Sequence, residues 1–392
     1  MKITWSLPVY GERLDSSRGD LVRARCLIEA LRGDGHEVRV VEDAARPGSR
    51  LAVTTYRDVV RRIVPTRAAV ALRDVGRWLH SRGHGRRVAA QARQQGADLI
   101  IETQVHFSAS GALAARLTGL PLILDDCSPP SEEIVLGAGL PGLAHRIFQA
   151  QIQNASKLVV PSQALRKWLI EEGAPSEKLA VVPNGTALAP YSMLDRERVR
   201  RRLGVDGQCV FGFLGSFQPW HRVEFLIQAV ASLVGHLPVH VLLIGDGSGR
   251  PAALTAVRRL RLDRVVTWIG SIPYSQVQEL VSAFDVGVLP GSNDYCHPMK
   301  LVDYAAAGLP CVAPDLPSVR EVVRDGVTGL LFPPDDVNEL AAALTRLATK
   351  EDLRMQMGES ARQRFAQGAS WKDRARTLVS AIASTTHDKG SA

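Results

Sequence analysis

A chain of 392 residues with 45% hydrophobic content and a mean hydropathy near zero reads as two globular domains, each able to bury a core of ordinary size. No apolar run approaches the ~20 residues a membrane-spanning helix needs, and the opening MKITWSLPVYG lacks the apolar core and cleavage site of a signal peptide. The net charge of +8 comes chiefly from arginine, but no zinc-ligand spacing or aromatic RNA-binding motif accompanies it, so nucleic acid is not an expected partner. Five scattered cysteines (Cys26, Cys127, Cys209, Cys296, Cys311) form no CxxC pair and fit a reducing cytoplasm.

In chain order, Lys2–Ser6 and Glu37–Val41 are β-rich, and Leu21–Leu31 repeats apolar residues at helical spacing. This predicts a βαβ opening with Gly35-His36 as the turn into the second strand. The helix is preceded by Ser16-Ser17-Arg18-Gly19-Asp20. Within 55–95, Val59, Val60, Ile63 and Val64 make an apolar stripe, and a second helical pattern runs from Pro65 to about Leu79. Ten arginines lie between Arg57 and Arg93 against Asp58 and Asp74. That face is either simply solvated or a contact for anionic lipid or a phosphorylated acceptor. Strands are predicted at Asp98–Glu102, Pro121–Asp125, Leu158–Pro161 and Leu179–Pro183, with Gly111–Thr118 in a helix; Pro183-Asn184-Gly185 is a turn signal.

The second half restarts the rhythm. Strands at Cys209–Leu214, Val239–Ile244 and Val265–Ile269 alternate with helices over 222–234, 251–260 and 275–283. Short apolar strands alternating with helices mean a parallel sheet covered on both faces. Two such doubly wound halves place a cleft at the carboxyl ends of both sheets. Then comes the stretch around which the chain is organised, VGVLPGSNDYCHPMKLVDYAAAGLPCVAP, residues 286–314. A short strand stops at Pro290, Pro298 opens a helix of good helix formers, and Gly308 and Pro310 end it before the next strand. A helix start above a sheet aims free backbone N–H groups at an anion. Lys300 adds a cation there, with Asp303 one turn on.

These residues resemble the donor-binding motif of the family-4 retaining glycosyltransferases. Asp303, Ala305–Ala307, Gly308 and Pro310 match its second half, while Tyr295 stands where the motif has its first acidic residue. Pro298-Met299-Lys300-Leu301 resembles a variant with Pro-Leu-Lys-Leu. In Gly215-Ser216-Phe217-Gln218-Pro219-Trp220-His221-Arg222, Ser216, His221 and Arg222 stand at the Arg, Lys and Gly of the family's Gly-Arg-x4-Lys-Gly. Gly19 matches a loop glycine that approaches the donor phosphates, and Pro183-Asn184-Gly185 the passage into the second domain. The resemblance implies the GT-B fold, an α/β architecture of two Rossmann-like domains. Their expected bounds are 1–186, with a terminal helix 371–385 crossing back, and 187–370.

It implies retaining transfer from a nucleotide diphosphate sugar, UDP- or GDP-linked, to a small-molecule or glycan acceptor, without metal or resident cofactor. Donor-site candidates are Gly19, Ser216, His221, Arg222, Ile272, His297, Met299, Lys300 and Asp303. Asp303 is expected on a ribose hydroxyl and backbone near Ile272 on the base. On the acceptor side Cys127 stands about where relatives carry a histidine, so His106 or Asp126 is the candidate base, unless the acceptor attacks through sulfur or an amine as in secondary metabolism. Glu102 and Asp125 lie near them in the sheet order, and a structural role is the plainer reading for any one of the four. Gly245-Asp246-Gly247-Ser248-Gly249 is a weak dinucleotide fingerprint, since no acidic residue ends the following strand. A hydrolysing epimerase of the same fold and a silent nucleotide-sugar binder remain as alternatives.

Overall fold

The computed structural model describes residues 1–9, 14, 18–43, 66–125, 131, 139–189, 193–366 and 368–386. The chain divides into two compact units, residues 1–16, 20–182 and 375–392 forming one and residues 17–19 and 183–374 the other. The division falls after 182, where the sequence pattern puts it after 186.

In the first unit β1 (Lys2–Leu7), β2 (Glu37–Glu42), β3 (Leu99–Thr103), β4 (Leu122–Asp125), β5 (Lys157–Val160) and β6 (Leu179–Val181) form a parallel sheet in the order β2-β1-β3-β4-β5-β6. Helices α1 (Gly19–Gly33), α2 (Thr66–Gln95), α3 (Ser110–Thr118), α4 (Pro141–Asn154) and α5 (Gln163–Glu171) belong to the same stretch of chain. Both faces of β1 are buried, Trp5 and Ile3 on one and Thr4 and Ser6 on the other, as a parallel sheet covered by helices requires. The buried polar atoms are paired accordingly: Trp5 Nε1 donates to Thr103 Oγ1 at 3.0 Å and Thr4 Oγ1 to Gln95 Oε1 at 3.0 Å.

The helical pattern predicted to end near Leu79 instead continues as one 30-residue helix. Val88, Ala89 and Ala92 of its second half are buried. A Cβ at Gly85 would stand 2.7 Å from the Ser110 carbonyl oxygen, so this glycine, a poor helix former, lets α2 pass against the start of α3. Several of the arginines are tied down: Arg73 pairs with Asp74 at 2.7 Å and Arg87 with Asp43 at 3.1 Å. The stripe at Val59–Val64, with Arg57, Arg61 and Arg62, lies outside the described residues.

In the second unit β7 (Cys209–Leu214), β8 (Val239–Ile244), β9 (Val266–Gly270), β10 (Val286–Val288), β11 (Cys311–Pro314) and β12 (Gly329–Phe332) form a parallel sheet ordered β12-β11-β10-β7-β8-β9. Its helices are α6 (Met193–Leu203), α7 (Val223–Ala231), α8 (Arg250–Leu260), α9 (Val277–Val281), α10 (Met299–Ala306), α11 (Pro317–Arg320), α12 (Val337–Thr349) and α13 (Glu351–Phe365). Alternate residues of β7 enter two cores, Phe211 and Phe213 one, Val210 and Leu214 the other. The central strands carry glycine because aromatic rings lie flat on them: a Cβ at Gly212 would meet the Phe284 ring at 2.0 Å and one at Gly287 the Tyr304 ring at 2.2 Å. Asp336 caps α12, its carboxylate accepting from the amides of Asn338 and Glu339 at 2.9 and 3.0 Å.

The last helix, α14 (Trp371–Thr386), counts with the second unit up to Arg374 and with the first from Ala375. Within the first unit its Arg376 donates to Asp34 at 3.1 Å. No helix among the described residues is long and apolar enough to cross a membrane. Cys26, Cys209, Cys296 and Cys311 form no disulfide among the described residues.

Candidate donor site

Four loops leave the carboxyl ends of β7, β8, β9 and β10, where an open parallel sheet binds ligands. The first two are packed on each other. Phe217 N donates to the Asp246 carbonyl at 3.0 Å and Gly249 N to the Phe217 carbonyl at 2.5 Å. A Cβ at Gly245 would fall 1.9 Å from the Gly215 carbonyl oxygen, and one at Gly247 2.7 Å from that of Phe217. The glycines of Gly245-Asp246-Gly247-Ser248-Gly249 thus serve loop against loop, which accounts for a fingerprint that lacks its acidic partner.

The β10 loop ends at α10, whose N-cap is Pro298 with no side-chain cap. First-turn N–H groups left without a side-chain acceptor form an anion site. Lys300 runs over the backbone of Gly215; a Cβ there would lie 3.1 Å from Lys300 Cε, and φ is +133°. Its Nζ stands 3.2 Å from His221 Nε2 and 5.3 Å from the centre of the Phe213 ring. Burial lowers the Lys300 ammonium to about 8, against the opposing pull of Cys296 and Asp303. Burial lowers His221 further, to about 3, with the neighbouring Lys300 as a second cause.

One turn on, Asp303 is buried and accepts on the same oxygen, Oδ1, from Thr186 Oγ1 at 2.7 Å and Tyr274 Oη at 3.1 Å. Burial raises this carboxyl to about 7, opposed by those two hydrogen bonds and Lys300. Tyr274 follows Ile272 on the β9 loop, so the structure brings both beside α10. Asn184 Nδ2 donates to the His297 carbonyl at 3.0 Å, fixing the loop just before the helix. Thr186 and Tyr274 carry no sequence signal, and Asn184 is marked only as part of the turn at Pro183-Asn184-Gly185.

Ser216 contributes its carbonyl to His221 Nδ1 at 2.5 Å. Arg222 has φ 50° and ψ 40°, the left-handed region that favours glycine, which explains glycine at this place in the resembled pattern. Its guanidinium is turned to Asp335 at 3.5 Å and to the Phe225 ring at 5.3 Å. Expected on the donor phosphates, Arg222 is an exposed ion pair in this structure. Met299 is the half-buried first residue of α10. Gly19 opens α1, and a Cβ on it would meet nothing within 4 Å among the described residues.

On the acceptor side His106 lies half-buried in the turn after β3, next to Phe107, whose ring is buried with Ala144 and Ile147 and whose φ is +61°. Asp126 and Cys127 lie outside the described residues. The neighbouring carboxylates are buried and paired with their own neighbours. Asp125 is fully buried against Arg23, with Nη2 to Oδ1 at 2.9 Å. Glu102 accepts from Ser6 Oγ at 2.7 Å and Ser110 Oγ at 2.5 Å, and burial raises its pKa. Among the described residues no three His, Cys, Asp or Glu side chains are grouped to hold a metal ion.

Residues 22–189 match the family model described as Glycosyltransferase Family 4, and residues 208–350 that described as Glycosyl transferases group 1. Similar proteins include a D-inositol 3-phosphate glycosyltransferase of Corynebacterium urealyticum, 32% identical over 60% of this chain and 58% of the relative. An N-acetyl-alpha-D-glucosaminyl L-malate synthase of Bacillus anthracis is 24% identical over 71% and 72%. The chain thus spans less than two thirds of the inositol-phosphate relative's length. Among solved structures, Anabaena HepE in complex with UDP and glucose superposes with a TM-score of 0.75 at 19% identity, covering 98% of this chain and 100% of that one. Sucrose-phosphate synthase from Thermosynechococcus elongatus does so with 0.75 at 17% identity, covering 99% and 100%. The fold is GT-B.

Proposed function

The chain belongs to the family-4 glycosyltransferases, and we propose that it moves a sugar, with retention, from a nucleotide diphosphate sugar to a hydroxyl of a small acceptor. One observation carries the reading: Lys300 and Asp303 stand one turn apart at the start of α10, beside the β7 and β9 loops. The helix-start amides near Met299, the Lys300 ammonium and Gly19 hold the diphosphate, so that it departs as a stabilised anion. Asp303 takes a ribose hydroxyl, and backbone near Ile272 takes the base. The HepE complex supports UDP as that nucleotide. His297 belongs to the loop that meets the donor sugar.

The relatives' names support an acceptor that is small and anionic, such as a phosphorylated polyol or a hydroxy acid. His106 or Asp126 receives the acceptor's proton, helped by the departing phosphate. Five scattered cysteines with no CxxC pair support work in a reducing compartment such as the cytoplasm. Metal has no part in this reading, since amides and Lys300 carry the leaving-group charge.

The test incubates the protein with UDP- and GDP-sugars, with and without D-inositol 3-phosphate and L-malate, and follows products by mass spectrometry. The expected result is nucleoside diphosphate released only when acceptor is present. A donor epimer formed without acceptor would replace this reading with the epimerase, and binding without turnover on any acceptor would replace it with the silent binder that Tyr295, in place of a carboxylate, brings to mind.

A further inference from the structure

We propose that His221 is a positioning residue that aims the Lys300 ammonium, and not itself a ligand of the donor phosphates. This deepens the donor-site reading and rests on it. The Ser216 carbonyl can only accept a hydrogen bond. His221 Nδ1, 2.5 Å away, must therefore carry the ring proton. The neutral ring then has its lone pair on Nε2, and Nε2 is the atom that faces Lys300 Nζ at 3.2 Å. An ammonium only donates, so the two fit in one sense alone: Nζ–H to Nε2. A second ring proton would set N–H against N–H beside a cation, and burial already disfavours the imidazolium.

The rest of the cage is aromatic. Phe213 meets the His221 ring edge-on with centres 5.7 Å apart, and its face lies 5.3 Å from Nζ. Gly215 leaves room for the lysine stem to cross the loop backbone. The ammonium is thus seated between an imidazole lone pair and a ring face, with one N–H used and the others available to a phosphate. A lysine carries large rotamer entropy; a fixed seat means that this is lost on folding and not on binding.

The test is a double-mutant cycle on binding of the nucleoside diphosphate, UDP or GDP, that the wild type takes. His221→Phe keeps the ring volume and removes the lone pair, Lys300→Met removes the cation, and both are combined. His221→Phe should weaken binding roughly tenfold and Lys300→Met more, as expected for charge-assisted hydrogen bonds. The double variant should bind no worse than Lys300→Met alone, since His221 acts only through Lys300. His221→Gln, whose Oε1 can accept from Nζ, should stay within about threefold of wild type by the same hydrogen-bond reasoning. A double variant weaker by the full His221→Phe factor makes His221 a direct ligand and overturns the proposal.

A second measurement needs no ligand. Ring 15N shifts of His221, assigned by difference with His221→Gln, should report the neutral Nδ1–H tautomer from pH 5 to 8, with Nε2 moving in Lys300→Met. An imidazolium at pH 6, or an Nε2–H tautomer, overturns the pairing. If no nucleotide binds the wild type, the donor reading fails while these shifts still decide the His221–Lys300 pair.

Discussion

Asp303→Asn separates what the buried carboxylate costs the fold from what it gives the ligand. Both of its protein hydrogen bonds fall on Oδ1, from Thr186 and Tyr274. An asparagine with its carbonyl oxygen in that place keeps both, so the packing survives. Burial raises the folded carboxyl from 3.8 to about 7. Between those values the folded state keeps a proton that the unfolded state has lost, so the group's contribution falls as pH rises through that window and is least favourable above it. At about 1.4 kcal/mol per unit, the cost is about 4 kcal/mol at pH 8 and about 2 kcal/mol at pH 5. Asparagine has no such slope. The stability gap in favour of the variant should therefore widen by about 2 to 3 kcal/mol from pH 5 to pH 8, roughly 5 to 10 °C in melting point for a unit of this size. Melting curves of both proteins across that range are the assay, and a gap that does not change with pH would refute the burial argument. Nucleoside diphosphate affinity should meanwhile fall about tenfold, because an amide nitrogen replaces the oxygen meant for the ribose hydroxyl.

Arg222→Gly relieves a left-handed φ of 50° at the cost of an exposed ion pair; it should raise the melting point by the equivalent of about 0.5 to 1 kcal/mol, and a lower melting point counts against the strain. Asp125→Ala removes the carboxylate facing the fully buried Arg23 and should cost about 3 kcal/mol or more; a urea midpoint shift worth less than about 1 kcal/mol would show the pair to be dispensable. Gly245→Ala forces a Cβ into the Gly215 carbonyl at a φ of +126° and should lose more than about 2 kcal/mol together with nucleotide binding; wild-type binding would show that the β7 and β8 loops do not shape the site.

Much of the fold was legible because its strands are continuous apolar runs. Val239–Ile244, apolar but for His240, is buried at every position, and such a run has few alternatives in an α/β chain. The start of α10 was legible for a similar reason, since Pro298, Gly308 and Pro310 punctuate it. The helices at 141–154, 193–203 and 351–365 were not named, and α6, MLDRERVRRRL, shows why: it has too few apolar residues to give a period. Within the site, Lys300 and Asp303 share one helix and one motif. Thr186 and Tyr274, 117 and 29 residues from Asp303 in sequence, meet it only through the fold. Side-chain direction was not legible either. Position alone suggested Arg222 as a cation for phosphate, and nothing in the sequence indicated the exposed pair with Asp335 that its side chain makes here.

The same burial that perturbs Lys300 and Asp303 predicts that donor binding moves protons, in opposite directions at opposite ends of the neutral range. Without ligand, Asp303 holds a proton below about 7 and Lys300 begins to lose one above about 8, both because burial penalises charge. A diphosphate beside Lys300 stabilises the ammonium and raises its pKa, whereas a ribose hydroxyl donating to Asp303 stabilises the carboxylate and lowers its own. Binding below about pH 7 should therefore release a proton from Asp303, and binding above about pH 8 should take one up at Lys300. Cys296 also faces Lys300, so the exchange at pH 8.5 is read against a Cys296→Ser background. His221 stays neutral throughout, having been driven to about 3, and a nucleotide sugar carries no phosphate oxygen that titrates in this range. Calorimetry of nucleotide-sugar binding in buffers of different ionisation enthalpy measures the exchange directly. Wild type should show release at pH 6.5 and uptake at pH 8.5, with a sign change between them. Asp303→Asn should lose only the release, and Lys300→Arg, charged at every accessible pH, only the uptake. Heats that do not depend on the buffer at either pH would mean that the ligand never reaches these two groups, and the donor site would have to be sought elsewhere on the sheet.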